Sequence, residues 1–241
     1  MNNFENKSII TETYKDFQLH HNIKLPMLNE VKFVKEDSFW ARFQSQELYN
    51  KKYILYVNEE LFQKNNYFIE QTLYHEFTHL MDSLKFLSYD SDNFKKVMIS
   101  YSEFHASEIE MLKRLEQVEG DISLQSEIYH VGILSIQYFM TQSFEHLLKD
   151  LELMSNNSNI KNFYFNTNKL FYFFGYISAL KQYKIDYDFN IYKVPSLFLN
   201  VCIKLNSMII NNLYSIDDII NLYKKLESDI KMNCLINQII N

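Results

Sequence analysis

A chain of 241 residues with 47% hydrophobic content is long enough to bury a sizeable core, as one large domain or two small ones. Its net charge of −6 and pI near 5.7 offer no basic surface, which argues against nucleic acid and anionic membranes as partners. Three Gly and two Pro are too few for a strand-and-turn fold, so long helices are expected to dominate.

In chain order, Met1 to Lys15 are polar and charged without an apolar signal-type segment, and no run of about 18 apolar residues follows, so a cytoplasmic protein is expected. Val31–Val34, Phe39–Phe43 and Tyr53–Val57 are each rich in aromatic or β-branched residues and predict a small sheet. After Asn58 the period changes. Ile69, Leu73, Phe77, Leu80 and Leu84 recur at three- and four-residue spacing, which predicts a helix over Tyr67–Leu84. A second helical pattern covers Ser102–Val118, with Phe104, Ile109, Leu112 and Leu115 as its apolar positions and Gly120 as its stop.

Beyond Gly120, the segments Ser126–Leu153, Asn166–Gln182, Ser196–Asn212 and Ile216–Ile240 favour helix, and the Asn/Ser cluster Ser155–Asn159 reads as a loop. Leu170–Leu180 is the most apolar stretch, too short to span a bilayer and flanked by Asn168, Lys169 and Lys181; it predicts a core helix. The aromatic residues Tyr164, Phe165 and Phe171–Phe174 read as core, with a substrate-binding or partner surface as the alternative. Cys202 and Cys234 lack the spacing of a metal knuckle or redox pair and read as buried thiols. The fold class expected is α+β and predominantly helical.

One motif carries chemistry. His75-Glu76-Phe77-Thr78-His79 is an H-E-x-x-H inside the first predicted helix, and a spacing of four puts both imidazoles on one face, one turn apart. The apolar stripe falls opposite, so the helix is anchored on its back and carries the imidazoles on its front. Two nitrogens can then bind one ion, and Glu76 between them is placed to take a proton from activated water. A catalytic zinc takes three protein ligands, so a third donor is needed. Glu103, Glu110 and His105 are the candidates. Glu103 is favoured because Ala106 and Ser107 share its face and would let the two helices approach closely, while Glu108 reads as a solvated helix residue. His105 is alternatively a core histidine or a donor to a transition-state oxyanion. Asp82 returns to the His75 face and is either a carboxylate fixing a ligand imidazole through its other nitrogen or a surface aspartate.

The run His75-Glu76-Phe77-Thr78-His79-Leu80-Met81-Asp82 followed by Ser102-Glu103-Phe104-His105-Ala106 resembles the gluzincin group of zinc peptidases. Within that group it is similar to the anthrax lethal factor catalytic domain and the bacterial MtfA-like peptidases, over Tyr53 to Leu112. The resemblance implies one catalytic Zn2+ held by His75, His79 and Glu103, with Glu76 as general base and a strand edge that binds an extended peptide or protein substrate. It implies a zincin-like metallopeptidase core over residues 1–120, with a small N-terminal sheet packed on the active-site helix. Residues 121–241 would form a helical subdomain or continue the same domain. The family often carries a tyrosine near the third ligand to stabilise the oxyanion, and Tyr101 is the nearest. Two other readings keep the same centre: a regulatory metalloprotease similar to the ImmA/IrrE group, acting on a repressor, and a helical interaction protein with an idle zinc site. An ion with only three protein ligands is open to water, which favours an enzyme.

Overall fold

A computed structural model describes residues 3–36, 38–156 and 163–240, without the side chains of 3, 156, 163–166 and 233–240. The three strand-like segments form one sheet: β1 (Glu30–Val34), β2 (Ala41–Phe43) and β3 (Ile54–Asn58) lie in the order β1-β3-β2. β3 is central, parallel to β1 and antiparallel to β2, with Ala41 opposite Val57 and Phe43 opposite Leu55. A central strand has both hydrogen-bonding edges occupied, so β3 cannot dock a peptide, whereas β2 has an outer edge with no strand partner among the described residues. Asn58 fixes the approach to β2. Its buried side chain donates to the carbonyls of Glu36 and Phe39, and its backbone N–H donates to Trp40 O.

The sheet leads into α3 (Asn66–Lys85), close to the span expected from its periodicity. Asn65 caps it by accepting from Phe68 N at 2.8 Å, which satisfies one of the free N–H groups at the helix start. Ile69, Leu73, Phe77 and Leu80 on its back are fully buried, each stabilising the fold by about 1.5–3 kcal/mol. They pack partly on α1 (Asn3–His20), a helix that the polar N-terminal segment did not announce. Tyr14 and Phe17 of α1 meet Phe77 edge-on at 4.8 and 5.7 Å, and Asp16 accepts from the Tyr74 hydroxyl at 2.5 Å.

The second predicted helix begins earlier than its apolar pattern suggested. α4 (Ser91–Val97), capped by Asp90, runs through a π-helical turn (Met98–Ser102) into α5 (Glu103–Leu115). Gly120, with φ +79°, lies in the loop five residues past the end of α5. The expected helix Ser126–Leu153 is corrected at its start: β4 (Glu127–Tyr129) and β5 (Ile133–Ser135) form a hairpin, and α6 runs from Ile136 to Asn156. β-branched Ile128, Val131 and Ile133 around Gly132 favour a hairpin over a helix. The Ser155–Asn159 loop falls mostly outside the described residues, its first two positions being the end of α6.

α7 (Phe163–Gln182) lies along α5, followed by α8 (Ser196–Ile210) and α9 (Ile216–Ile240), and α2 (Ser45–Tyr49) is a single turn after β2. Leu170, Phe171, Phe174 and Leu180 are buried, as expected of a core helix; the side chains of Tyr164 and Phe165 lie outside the described residues. Gly175 sets the spacing of α5 and α7. A Cβ there would lie 2.0 Å from Ser107 Oγ and 2.2 Å from Phe104 O. Buried apolar side chains from Ile10 to Ile230 form one connected core, predominantly helical with a small sheet at one side. Among the described residues no helix is long and apolar enough to cross a membrane. Cys202 is a buried free thiol, pushed up to about 12 by burial; the Cys234 side chain lies outside the described residues.

Candidate metal centre

α5 runs antiparallel to α3, as three contacts show: Gln71 meets Arg114, His75 meets Glu110 and His79 meets Ser102. This brings three donors together. The Nε2 atoms of His75 and His79 are 3.1 Å apart, and each is 3.8 Å from Glu103 Oε2. The three ligand atoms all lie within 4.8 Å of one another. Ligands about 2.0–2.1 Å from a tetrahedral ion are about 3.3 Å apart, a value these distances bracket. His75 and His79 are each 8% exposed, enough for access from one side only.

Polar contacts on the far side of each ring support the same reading. His79 Nδ1 meets Ser102 Oγ at 2.8 Å. His75 Nδ1 is 3.0 Å from Glu110 Oε2, within ion-pair range although its N–H axis is turned off the oxygen. Glu110 is held ionised. Despite its burial, the Arg114 guanidinium and His75 bring its carboxyl down to about 2, and the Tyr172 hydroxyl donates to it at 2.6 Å. An ionised carboxylate only accepts, so the His75 nitrogen facing it carries a proton, and Nε2 is the nitrogen that faces His79 and Glu103 and would offer its lone pair to an ion once its own proton is displaced.

Burial alone would push His75 down, but Glu110 foremost, then Glu76 and Glu103, raise it to about 9. Burial lowers His79 well below its ordinary value, reinforced by its neighbour His75. Burial raises the carboxyl of Glu103, which among the described residues has a long contact from Asn168 Nδ2 at 3.5 Å besides the His pair. A pocket with buried carboxylates and electron-rich nitrogens calls for positive charge. A proton on His75 supplies part of it, and a divalent cation at the convergence would supply more. Two imidazoles with one carboxylate is a donor set that suits zinc, so the residues present fit the ion that the motif implies.

Glu76 lies between the imidazoles and meets the sheet. Its Oε2 accepts from Phe43 N at 2.9 Å, which ties the carboxylate to the outer edge of β2. Burial pushes its carboxyl up to about 8, with His75 and the Phe43 N–H opposing, a range suited to proton transfer near neutrality. The centre forms part of the floor of a cleft of about 700 Å³. Ser38–Ala41 of the sheet edge line one side, and α6 and α7 line the other.

The remaining expected residues fall elsewhere. Asp82 is fully buried but does not touch either imidazole of the motif. Both its oxygens face His105 Nδ1, at 3.0 and 2.9 Å, and Lys85 lies at 3.2 Å. Seven residues carry it about 10 Å along the helix axis from His75, too far to reach that ring. Glu110 has the partner role that Asp82 was considered for. Tyr101, in the π-helical turn, stacks on His105 with ring centroids 5.5 Å apart and meets Phe86 edge-on; neither Tyr101 nor His105 lines the cleft. The tyrosine that does so beside His75 is Tyr172, its ring 5.2 Å away, on a helix with no motif to mark it.

Glu108, expected in solvent, is buried and accepts from Ser178 Oγ at 2.5 Å and Gln182 Nε2 at 2.8 Å. Ser107 faces Gly175 of α7, so its small size serves the α5–α7 crossing. No protein-family model, curated protein or solved structure matches this chain.

Proposed function

We propose that this chain is a zinc-dependent peptidase. The observation that carries the reading is the convergence of His75 Nε2, His79 Nε2 and Glu103 Oε2 beside a buried Glu76, at the floor of a cleft bordered by the outer edge of β2, which pairs with no other strand among the described residues. His75, His79 and Glu103 would hold the ion, which when bound polarises a carbonyl and lowers the pKa of water. Glu76 acts as general base and takes the proton of the attacking water; its burial keeps that proton close enough to pass to the leaving amine. The Phe43 N–H holds one oxygen of Glu76 and so directs the other toward the reacting atoms. The outer edge of β2 pairs with an extended peptide backbone and lays it across the cleft. Glu110 and Ser102 orient the two imidazoles, and Arg114 keeps Glu110 charged.

Metal analysis and hydrolysis of an unfolded protein substrate test the reading together. Wild type and Glu76→Gln are expected to carry about one zinc per chain, with hydrolysis lost in Glu76→Gln, while Glu103→Ala loses most of its zinc. Equal zinc in wild type and Glu103→Ala would overturn the third ligand. Undiminished hydrolysis in Glu76→Gln would overturn the base, and a zinc-loaded wild type that cuts nothing would favour an idle site.

A further inference from the structure

The peptidase reading leaves open what the substrate carries, and the cleft changes character along its length. α6 and α7 form an antiparallel pair beside it: Phe139 meets Tyr176 with ring centroids 5.1 Å apart, Phe144 meets Phe173 at 5.4 Å, and Lys169 Nζ meets Asp150 Oδ2 at 2.6 Å. The first end is closed by aromatic rings. At the other end the lining turns polar and exposed, with His146 and Lys149 on α6 and Lys169 on α7.

We propose that this open end recognises a carboxylate that the peptide carries within one or two residues of the scissile bond. The inference rests on the peptidase reading. His146 and Lys149 are three residues apart, so they share one face of α6. Both are exposed, and neither has a hydrogen bond or ion pair among the described residues. Among the residues that line the cleft at this end, Lys169 is matched by Asp150 and Lys149 is left unmatched, while Glu145 and Glu152 of the same helix do not line it. The position relative to the chemistry fits. Asn168, next to Lys169, contacts Glu103, and Tyr172, about one turn further, has its ring 5.2 Å from that of His75. An extended peptide advances about 3.4 Å per residue, so one or two residues from the reacting carbonyl reach the open end. A carboxylate there would meet the ammonium of Lys149 away from the buried acids of the floor, where like charge would repel it.

The test uses zinc-loaded protein and four peptides with one apolar core. Three carry Glu, Gln or Lys at the position facing the open end and have amidated C-termini; the fourth ends there with a free C-terminal carboxylate. KM and kcat are measured on the parent and on Lys149→Glu, and binding of each peptide to zinc-loaded Glu76→Gln is measured without turnover. The parent is expected to favour the Glu peptide over the Gln peptide by about fivefold in KM, the upper end for an exposed ion pair, with kcat little changed. Lys149→Glu should invert the order in favour of the Lys peptide, and 1 M salt should flatten it. Preference for the fourth peptide identifies a terminal carboxylate as the ligand, and preference for the Glu peptide alone an acidic side chain. Equal KM for all four, unchanged by Lys149→Glu, overturns the proposal and leaves the peptidase reading intact. Carboxylate-dependent binding without cleavage by the parent overturns the peptidase reading and supports the recognition. Failure of every peptide to bind overturns both.

Discussion

Gly175→Ala tests whether the α5–α7 crossing sets the geometry of the metal centre. Gly175 lies in the interior of α7, where helix propensity alone makes alanine more stable by about 1 kcal/mol. The packing says the opposite. The added Cβ would lie 2.2 Å from Phe104 O and 2.9 Å from Glu108 N, both backbone atoms of α5 that cannot rotate aside. Ordinary contact begins at 3.4 Å, so α5 and α7 must separate by about 1.2 Å, the difference between 3.4 and 2.2 Å. Overpacking against backbone costs about 3 kcal/mol, which against the propensity gain leaves a net loss of about 2 kcal/mol. For a chain of this size that is a fall of about 4–8 °C in Tm.

The same displacement reaches the centre, because Glu103 begins α5 while both imidazoles sit on α3. Zinc bond lengths tolerate about 0.2 Å, so a shift of about 1 Å should weaken zinc by tenfold or more. Thermal melts with and without chelator, and zinc competition against a chromophoric chelator, read the two effects separately. Gly132→Ala is the control, since nothing lies within 4 Å of its added Cβ. A Gly175→Ala protein that melts at or above the parent and binds zinc equally would refute the reasoning.

Three further outcomes are expected. Arg114→Leu strands a buried Glu110 carboxylate and should cost about 3–5 kcal/mol in urea unfolding, whereas Arg114→Leu with Glu110→Gln should cost less than the sum of the single changes; strict additivity would show the pair uncoupled. His21 is pushed down to about 4 by burial first, with the charges of His20, His105 and lysines adding, so its neutral form is favoured in the fold. That contribution is full above the unfolded pKa near 6.5 and is lost as pH falls toward 4. After discounting for partial exposure it amounts to about 1.5 kcal/mol, and the difference in urea midpoint between the parent and His21→Leu should grow smaller or reverse between pH 7 and pH 4.5; a pH-independent difference would contradict it. The buried Cys202 thiol, raised to about 12, should resist alkylation until the protein unfolds; peptide mapping showing its modification in the native protein would count against the packing around α8.

What the sequence disclosed follows from how local each cause is. The α3 helix, its back stripe and the facing of His75 and His79 depend on a 3.6-residue period alone, and the structure has them within a residue or two of the expected bounds. Glu103 lies on the next helical segment, where a local pattern places it, but the small Ser107 beside it packs on Gly175, a contact across 68 positions that no local pattern contains. α1 was legible and missed. Ile10, Tyr14 and Phe17 recur at spacings of four and three and are all buried, yet the polar residues around them masked the stripe. The β4–β5 hairpin was missed because its apolar residues fit a helical period as well as an alternating one, with Gly132 the single mark of a turn. Tyr172 belongs to an aromatic run that reads chiefly as core, and nothing local sets it apart from its neighbours, since its place beside His75 is set by how α7 packs on α5.

The choice between Glu103 and Glu110 as metal ligand turns on where positive charge already is. Both carboxylates are seven residues apart on α5 and lie near His75, so distance alone decides little. Glu110 has Arg114 four residues on, one helical turn away, with two tyrosine hydroxyls besides; its charge is matched within the protein. Glu103 has Ser107 at the corresponding position, and that hydroxyl turns back to backbone carbonyls. Apart from the His pair, its polar contact among the described residues is a long one from Asn168. A partly buried carboxylate with no lysine or arginine partner among the described residues raises the free energy of the fold, and the cost falls when a cation arrives. On the proposed reading the two glutamates divide the work: Glu110, satisfied by Arg114, would hold His75 with Nε2 turned inward, and Glu103, left short of charge, would be the one for which binding an ion is favourable.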